Sequence, residues 1–150
     1  IRAPGESGFR PNSSNSANIN SGGLMPTADD DIYLGAPSLR FVAVYAVNGM
    51  IQTSDARLKT NITSSGYGLD EVMKMQPVQY NWKSNPNNDL QIGFLAQDIQ
   101  KIIPEAVVEP ANGDAMGMKY NELIPVLVKA IQEQQQKIEE LEKMIKALQK

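Results

Sequence analysis

The sequence predicts an α+β fold, in which a short β-rich segment precedes a small α+β domain that ends in one long helix. Three observations predict it: a start rich in Gly, Pro, Ser and Asn with short strand signals, a mixed central region, and a heptad pattern at the end. The 150 residues suffice for one modest domain or two small ones. With 41% hydrophobic residues, 11 Gly and 9 Pro, the chain is poorly suited to a large monomeric core, which indicates oligomerisation. It begins at Ile1 rather than Met, so we expect a fragment of a longer protein.

The composition excludes several classes of function. The net charge of −3 provides no basic field for nucleic acid, and no apolar run approaches the ~20 residues that insertion into a membrane needs. The chain has no Cys, which excludes disulfides and thiol chemistry. It has no His, which removes Ser-His-Asp catalysis and the commonest ligands of a catalytic zinc. No metal or cofactor is predicted, and covalent chemistry would use Ser or Thr with Lys, a carboxylate or a terminal amine as base.

The N-terminal third carries turn and strand signals. Residues 1–31 predict loop and short strand, with a disordered tail as the alternative. Leu39–Val47 is β-branched and aromatic and predicts a strand. Asn48-Gly49 then predicts a hairpin whose second strand runs into Gln52–Ser54. A further short strand is predicted at Ile32–Leu34, before a turn at Gly35–Ser38. Such short strands cannot bury a core alone, whereas stacking around a threefold axis would cover their edges.

The central region predicts short helices and strands in alternation. Two short helices are expected over Gly68–Gln76 and Ala96–Ile103, and each ends at the proline that follows it. Two strands are expected to pair as a hairpin across a turn at Asn85–Asn88, namely Val78–Trp82 and Leu90–Phe94. Two shorter strands are expected on either side of a loop at residues 112–114, namely Val107–Val108 and Met116–Tyr120.

The C-terminal region has a strict heptad pattern over four repeats. Its a and d positions are all apolar except one, and they are Ile124, Leu127, Ile131, Gln134, Ile138, Leu141, Ile145 and Leu148. Lys137 at g and Glu142 at the following e can pair between parallel helices. The pattern predicts a coiled coil over about residues 121–150, with a single amphipathic helix packed on its own domain as the alternative. Ile at a with Leu at d favours dimers in simple parallel coils.

Three blocks of sequence resemble one protein family. Residues 54–62 (SDARLKTNI) are similar to the opening motif of the endosialidase-type intramolecular chaperone domains, a self-cleaving peptidase family that ends phage tailspikes and tail fibres. Residues 93–99 (GFLAQDI) with 104–107 (PEAV) resemble its central segment, and residues 120–125 (YNELIP) resemble its closing segment. The resemblance covers residues 54 to about 150, and it implies a domain boundary between 1–53, the end of a β-rich fibre or stalk, and 54–150, the chaperone domain.

The resemblance implies a specific biology. The domain would form a homotrimer, bring three fibre strands into register, and then cut the chain once between Thr53 and Ser54. The fold implied is therefore a β-rich trimeric fibre segment followed by a small α+β chaperone domain with a C-terminal coiled coil. Its partner would be the upstream fibre domain of the same chain, on a phage virion tail fibre or a bacterial cell surface. Two alternatives stay open: an uncut structural trimerisation cap, and a fibre tip that binds a host-surface glycan or receptor.

Enzyme activity would take the form of a Ser-Lys endopeptidase acting in cis. The resemblance makes Ser54 the nucleophile and Lys59 the general base, and attack on the Thr53 carbonyl carbon would give an ester by N-to-O acyl shift. A free Lys has a pKa near ~10.4, so burial or nearby Arg57 would have to lower it. Five residues along a strand place two side chains on opposite faces, so a turn must bring the pair together. The alternatives are a turn serine and a solvated surface lysine.

Other residues of the motif blocks are weaker candidates. Asp55 is a candidate to orient the Ser54 amide or to bind Arg57, and Asn61 to donate to an oxyanion, although both also suit turn chemistry. Gln97 and Asp98 would either support the cleavage centre or cap the helix that they begin. Two further expectations follow from residue type: Gly93 allows a close backbone approach, and Phe94 belongs to the core.

Overall fold

The computed structural model describes residues 17–20, 23–26, 28–29, 33–84, 87–110 and 112–149. The chain divides into two compact units, residues 1–42 and 43–150. In the first unit, β1 (Ala17–Asn20) pairs with antiparallel β2 (Gly23–Pro26), so short strand is present as predicted. The turn expected over residues 35–38 is also confirmed, because the N–H groups of Ala36 and Leu39 each donate to the other's carbonyl oxygen, at 3.1 and 3.0 Å.

The predicted strands next to this turn are wrong. Residues 40–55, all of them described, form no strand, so neither Leu39–Val47 nor the hairpin at Asn48-Gly49 is present. Tyr33 and Leu34 form no strand either, while Ile32 lies outside the described residues. Every residue from 39 to 54 is exposed in the single chain. A two-stranded hairpin needs a sheet or helix to bury its apolar face, and the described part of the chain packs neither against residues 39–54.

The second unit contains the remaining helices and strands. Its elements in chain order are a 3-10 turn at Ala56–Leu58, α1 (Leu69–Val72), β3 (Val78–Asn81), β4 (Leu90–Gly93), α2 (Ala96–Ile99), a 3-10 turn at Pro104–Ala106, β5 (Val107–Val108), β6 (Gly117–Met118), a 3-10 turn at Tyr120–Glu122 and α3 (Leu123–Leu148). The predicted elements from residue 68 onward are therefore confirmed in type and order, although most are shorter than expected. The fold is mixed α+β with one long C-terminal helix, as predicted.

Antiparallel pairing confirms both strand pairs of this unit. In the first, Val78 lies opposite Gly93 and Asn81 lies opposite Leu90. The side chain of Asn81 also donates to the carbonyl oxygen of Asn88, at 2.7 Å, and Asn88 has a positive φ of 53°. Asn85 and Pro86 of the predicted turn lie outside the described residues. In the second pair, β5 aligns with β6, and the predicted strand stops short of Tyr120 because that residue begins a 3-10 turn.

Residues from α2, the turn after it and α3 form the core. They are Ile99, Ile103, Ala106, Leu123 and Val126, each no more than 4% exposed. Regular α-helix ends at Ile99, and the backbone N–H of Ile103 donates to the Ile99 carbonyl oxygen at 2.8 Å before Pro104 starts a 3-10 turn. Phe94 packs against this core, as expected. The core anchors α3 by its first turns.

Only one face of α3 packs on its own domain. Its buried residues are Leu123, Val126 and Ala130, which occupy the g and c positions of the heptad. The apolar residues of the a and d positions, from Ile124 to Leu148, are 43–87% exposed. The stripe that anchors the helix is therefore different from the seam that the heptads predict. The helix packs on its own domain, as the alternative expects, while the apolar a and d positions are exposed in the single chain.

A carboxylate from α3 caps α1. The Leu69 N–H donates to Glu133 Oε2 at 2.7 Å, and the Gly68 N–H donates to Glu71 Oε2 at 3.0 Å. Lys129 reaches the Ser65 carbonyl oxygen and lies 3.7 Å from Glu133. The bond from Gly68 is the main cause that lowers the pKa of Glu71 below its ordinary value. These bonds fix the segment 65–69 to the long helix.

Candidate functional site

The motif that opens at Ser54 folds into a capped turn. The 3-10 turn at Ala56–Leu58 follows Asp55, whose carboxylate accepts from the Arg57 N–H at 2.8 Å. The backbone N–H of Lys59 donates to the Ala56 carbonyl oxygen at 3.1 Å, which closes the turn. Aspartate suits this position because its short side chain satisfies a backbone donor that the turn itself leaves unpaired. The turn reverses the chain between residues 54 and 59.

The reversal brings the two predicted catalytic side chains together. Lys59 Nζ donates to Ser54 Oγ at 2.7 Å. On a continuous strand the two side chains would point to opposite faces, so the turn is what makes this contact possible. Both residues are exposed in the single chain. The arrangement places an amine next to a hydroxyl that lies on the backbone beside the Thr53 carbonyl group.

Asp55 and Arg57 form an ion pair of their own. The Arg57 guanidinium donates to both carboxylate oxygens, with its shortest contact 2.6 Å from Nη2 to Oδ2. The hydrogen bonds from the Arg57 side chain are the main cause that lowers the pKa of Asp55, and the same pair raises the pKa of Arg57. Of the roles predicted for Asp55, the structure contains the contact with Arg57. The Arg57 guanidinium therefore binds the carboxylate that caps the turn.

The other predicted site residues lie outside this pair. Asn61 has a left-handed backbone with φ of 52°, which fits turn chemistry. Gln97 and Asp98 lie on α2, where Asp98 pairs with Lys101 at 3.2 Å. Among the described residues, none of these three side chains forms a hydrogen bond with Ser54 or Lys59. A supporting role for them stays a prediction.

A groove lies beside the chain that leads to Ser54. Its volume is about 390 Å³, and its walls are Met50 and Gln52 on one side and residues 118–122 on the other. Thr53 follows these wall residues directly and is exposed. The closing motif block thus lines the same groove as the residues that precede the predicted cleavage bond.

Tyr120 is a positioning residue that the sequence reasoning missed. Its hydroxyl oxygen accepts from the Phe94 N–H at 3.2 Å, and a Cβ on Gly93 would lie 2.6 Å from that oxygen. The expected close approach at Gly93 is therefore confirmed, with the Tyr120 hydroxyl as the group that approaches. Both residues belong to motif blocks, but 26 residues separate the bonded groups and no spacing rule connects them. The contact ties the groove wall to β4.

None of the helices that the structure describes is both long and apolar enough to cross a bilayer.

In a comparison with protein families, residues 54–108 match the family described as chaperone of endosialidase. The match begins at the serine of the capped turn and ends with β5.

Curated relatives of this chain include phage tail fibre proteins. The side tail fiber protein pb1 of Escherichia phage T5 is 40% identical over 95 residues, which cover 59% of this chain and 7% of that protein. The long tail fiber protein Gp37 of Enterobacteria phage M1 is 34% identical over 101 residues, which cover 63% of this chain and 40% of that protein. The myelin gene regulatory factor-like A of Dictyostelium discoideum is 30% identical over 101 residues, 59% of this chain and 11% of that protein. The chain thus spans less than half the length of these relatives.

Proposed function

We propose that this chain is the C-terminal intramolecular chaperone of a phage tail fibre, because residues 54–108 match the chaperone-of-endosialidase family. The tail fibre proteins among its relatives support a place on the virion tail. The upstream fibre domain of the same chain would be its client. Binding of a host-surface glycan or receptor stays a prediction.

The chaperone would act as a homotrimer through the a and d seam of α3. The support is that the seam is apolar and exposed, while the body of the domain packs on the g and c positions. A helix of this polarity is marginal in water without a partner for its apolar face. Three parallel copies would bury the seam and hold the three preceding chains side by side. Ile at a with Leu at d favours dimers in simple parallel coils. The number of three chains would therefore be set by the rest of the family domain.

The domain would also cut its own chain once, between Thr53 and Ser54. Lys59 would take the hydroxyl proton, Ser54 Oγ would bond to the Thr53 carbonyl carbon, and the C–N bond would break as the Ser54 nitrogen takes a proton from Lys59. Water would then hydrolyse the ester, leaving a carboxylate on Thr53 and restoring the Ser54 hydroxyl. The 2.7 Å contact between Lys59 Nζ and Ser54 Oγ carries this proposal. Ser54 Oγ and the Thr53 carbonyl carbon belong to adjacent residues of one backbone, so the reacting groups are already close together.

Cleavage would depend on assembly. A lysine serves as a base where burial or neighbouring charges favour its neutral form. Ser54 and Lys59 are exposed in the single chain, and so are all residues from 39 to 53 that lead to them. Packing of three such segments against one another would remove water from the pair. Trimer formation should therefore precede the cut, which ensures that only registered fibres lose their chaperone.

Denaturing mass spectrometry tests the cut. The wild-type chain should give fragments 1–53 and 54–150, and Ser54→Ala should stay intact. Ser84→Ala is the matched control, because Ser84 is also an exposed serine outside the helices and strands and should leave cleavage unchanged. Lys59→Met should block the cut without changing the oligomeric state. An intact wild-type trimer after long incubation would instead assign the domain as an uncut trimerisation cap.

The seam has its own test. Ile138→Asp places a charge at an a position and should abolish both trimers and cleavage, because an unpaired charge cannot be buried in the seam. Gln136→Asp adds the same charge at the outward f position and should preserve both. Analytical ultracentrifugation reports the oligomeric state of each variant. A trimer that is unchanged in Ile138→Asp would refute the seam.

A further inference from the structure

An apolar groove lies between the first turns of α3 and the loop of its own domain at residues 64–65. Its walls come from the first two turns of the helix and the loop beside them, namely Ser64, Ser65, Ile124, Pro125, Val128, Lys129 and Gln132, and its volume is about 560 Å³. Ile124 is 57% exposed and Val128 is 49% exposed. The bond from Lys129 to the Ser65 carbonyl oxygen holds the loop at the rim. In the single chain this groove opens to solvent.

The heptad positions show which flank this is. Ile124 is an a position and belongs to the seam, whereas Val128 is an e position next to it. The domain body covers the other flank, where Leu123 and Ala130 at g are each 4% exposed. The buried side of the helix is therefore the g and c side, and the groove lies on the e side, between the seam and the loop at residues 64–65.

Parallel coiled coils bring these two flanks together. The g position of one helix lies beside the e position of the next, five residues further along, so that Leu123 would approach Val128 of the neighbour. Since the body already covers Leu123, the neighbour's Val128 would meet that body. Around a threefold axis the same contact repeats and closes the ring.

We propose that this groove is the docking surface for the globular body of a neighbouring copy. This inference rests on the proposed trimer and deepens it: the upper part of the assembly would be a body-to-helix interface, and the lower part a bare coil. The groove is continuous with the seam through Ile124, and its apolar character suits a protein surface rather than a polar ligand. The lower g positions differ, because Lys137 is exposed and Met144 is 60% exposed.

Single cysteines test the proposal in the full chain, since the natural sequence has none. A thiol in Val128→Cys and one in Glu142→Cys occupy the same heptad position, e, two repeats apart. The g positions flanking residue 142 are free of the body, so its thiol should react freely with maleimide in the trimer. The thiol at 128 should react at least about tenfold more slowly, because access to it would require the interface to open.

Three outcomes separate the possibilities. Adding Ile138→Asp should make both thiols equally reactive. That result would show that contact with a neighbouring chain protects the thiol at residue 128. Equal maleimide reaction rates at residues 128 and 142 in a verified trimer would overturn the docking proposal. Such a result would mean that a neighbouring body does not fill the groove, and it would leave the proposed coiled coil unaffected. A wild-type chain that sediments as a monomer would overturn the proposed function itself.

Discussion

Gly93→Ala probes the contact that fixes the groove wall to β4. The new methyl group would lie 2.6 Å from the Tyr120 hydroxyl oxygen, so tyrosine and strand must separate. Overpacking of this kind costs about 1–3 kcal/mol. Loss of the bond from the Phe94 N–H, 3.2 Å long in the native chain, adds about 1 kcal/mol. In a Tyr120→Phe background the hydroxyl is gone, and the methyl would meet Tyr80 Cε1 at 3.4 Å and the Cζ carbon at position 120 at 3.7 Å, which are ordinary contacts.

A double-mutant cycle over these two residues measures the effect. Urea denaturation of the wild type, both single variants and the double variant should be followed at one fixed protomer concentration, because oligomerisation contributes to apparent stability. Gly93→Ala should cost at least about 1 kcal/mol less when Tyr120 is already Phe. Costs that add to within about 0.5 kcal/mol would refute the reasoning, because residues without a shared contact behave additively.

Two further predictions concern the body of the domain. Ile99→Ala should lower the free energy of unfolding by about 2–5 kcal/mol, because Ile99 is 1% exposed. The control Ile92→Ala, at a side chain that is 76% exposed, should lower it by about 0.5 kcal/mol or less. Similar shifts of the urea midpoint in the two variants would contradict the placement of Ile99 in the core. Glu71 has a pKa lowered by the Gly68 N–H, so its stabilising effect is present above its unfolded pKa and is lost as pH falls through the lowered folded value. The fall in stability between pH 6 and pH 3 should therefore be smaller in Glu71→Gln, and an equal fall would count against the cap.

Local patterns predicted the chain from residue 68 onward well. The hairpin of β3 and β4 joins neighbours in sequence, so alternation and turn residues were enough to find it. The long helix followed from its heptads, whereas the second stripe of Leu123, Val126 and Ala130 was not predicted and is known from the fold. The turn required between Ser54 and Lys59 is present as well.

Contacts between distant residues were not readable. The bond between Leu69 and Glu133 spans 64 residues, and a carboxylate on a helix face looks like any solvated charge until the fold is known. The hydroxyl of Tyr120 was missed for the same reason. The strand predicted at Leu39–Val47 failed differently: its composition is that of a strand, but no strand among the described residues pairs with its edges. Strand propensity alone does not order a segment without a surface to pack on.

Sedimentation equilibrium of Ser54→Ala at micromolar concentration tests the central claim most directly, since that variant keeps each chain in one piece. The account predicts a single species with three times the mass of the chain, and a return to one chain mass when Ile138→Asp is added. A lone chain before that second substitution would contradict the assembled seam, and with it the dependence of the Ser54–Lys59 pair on assembly.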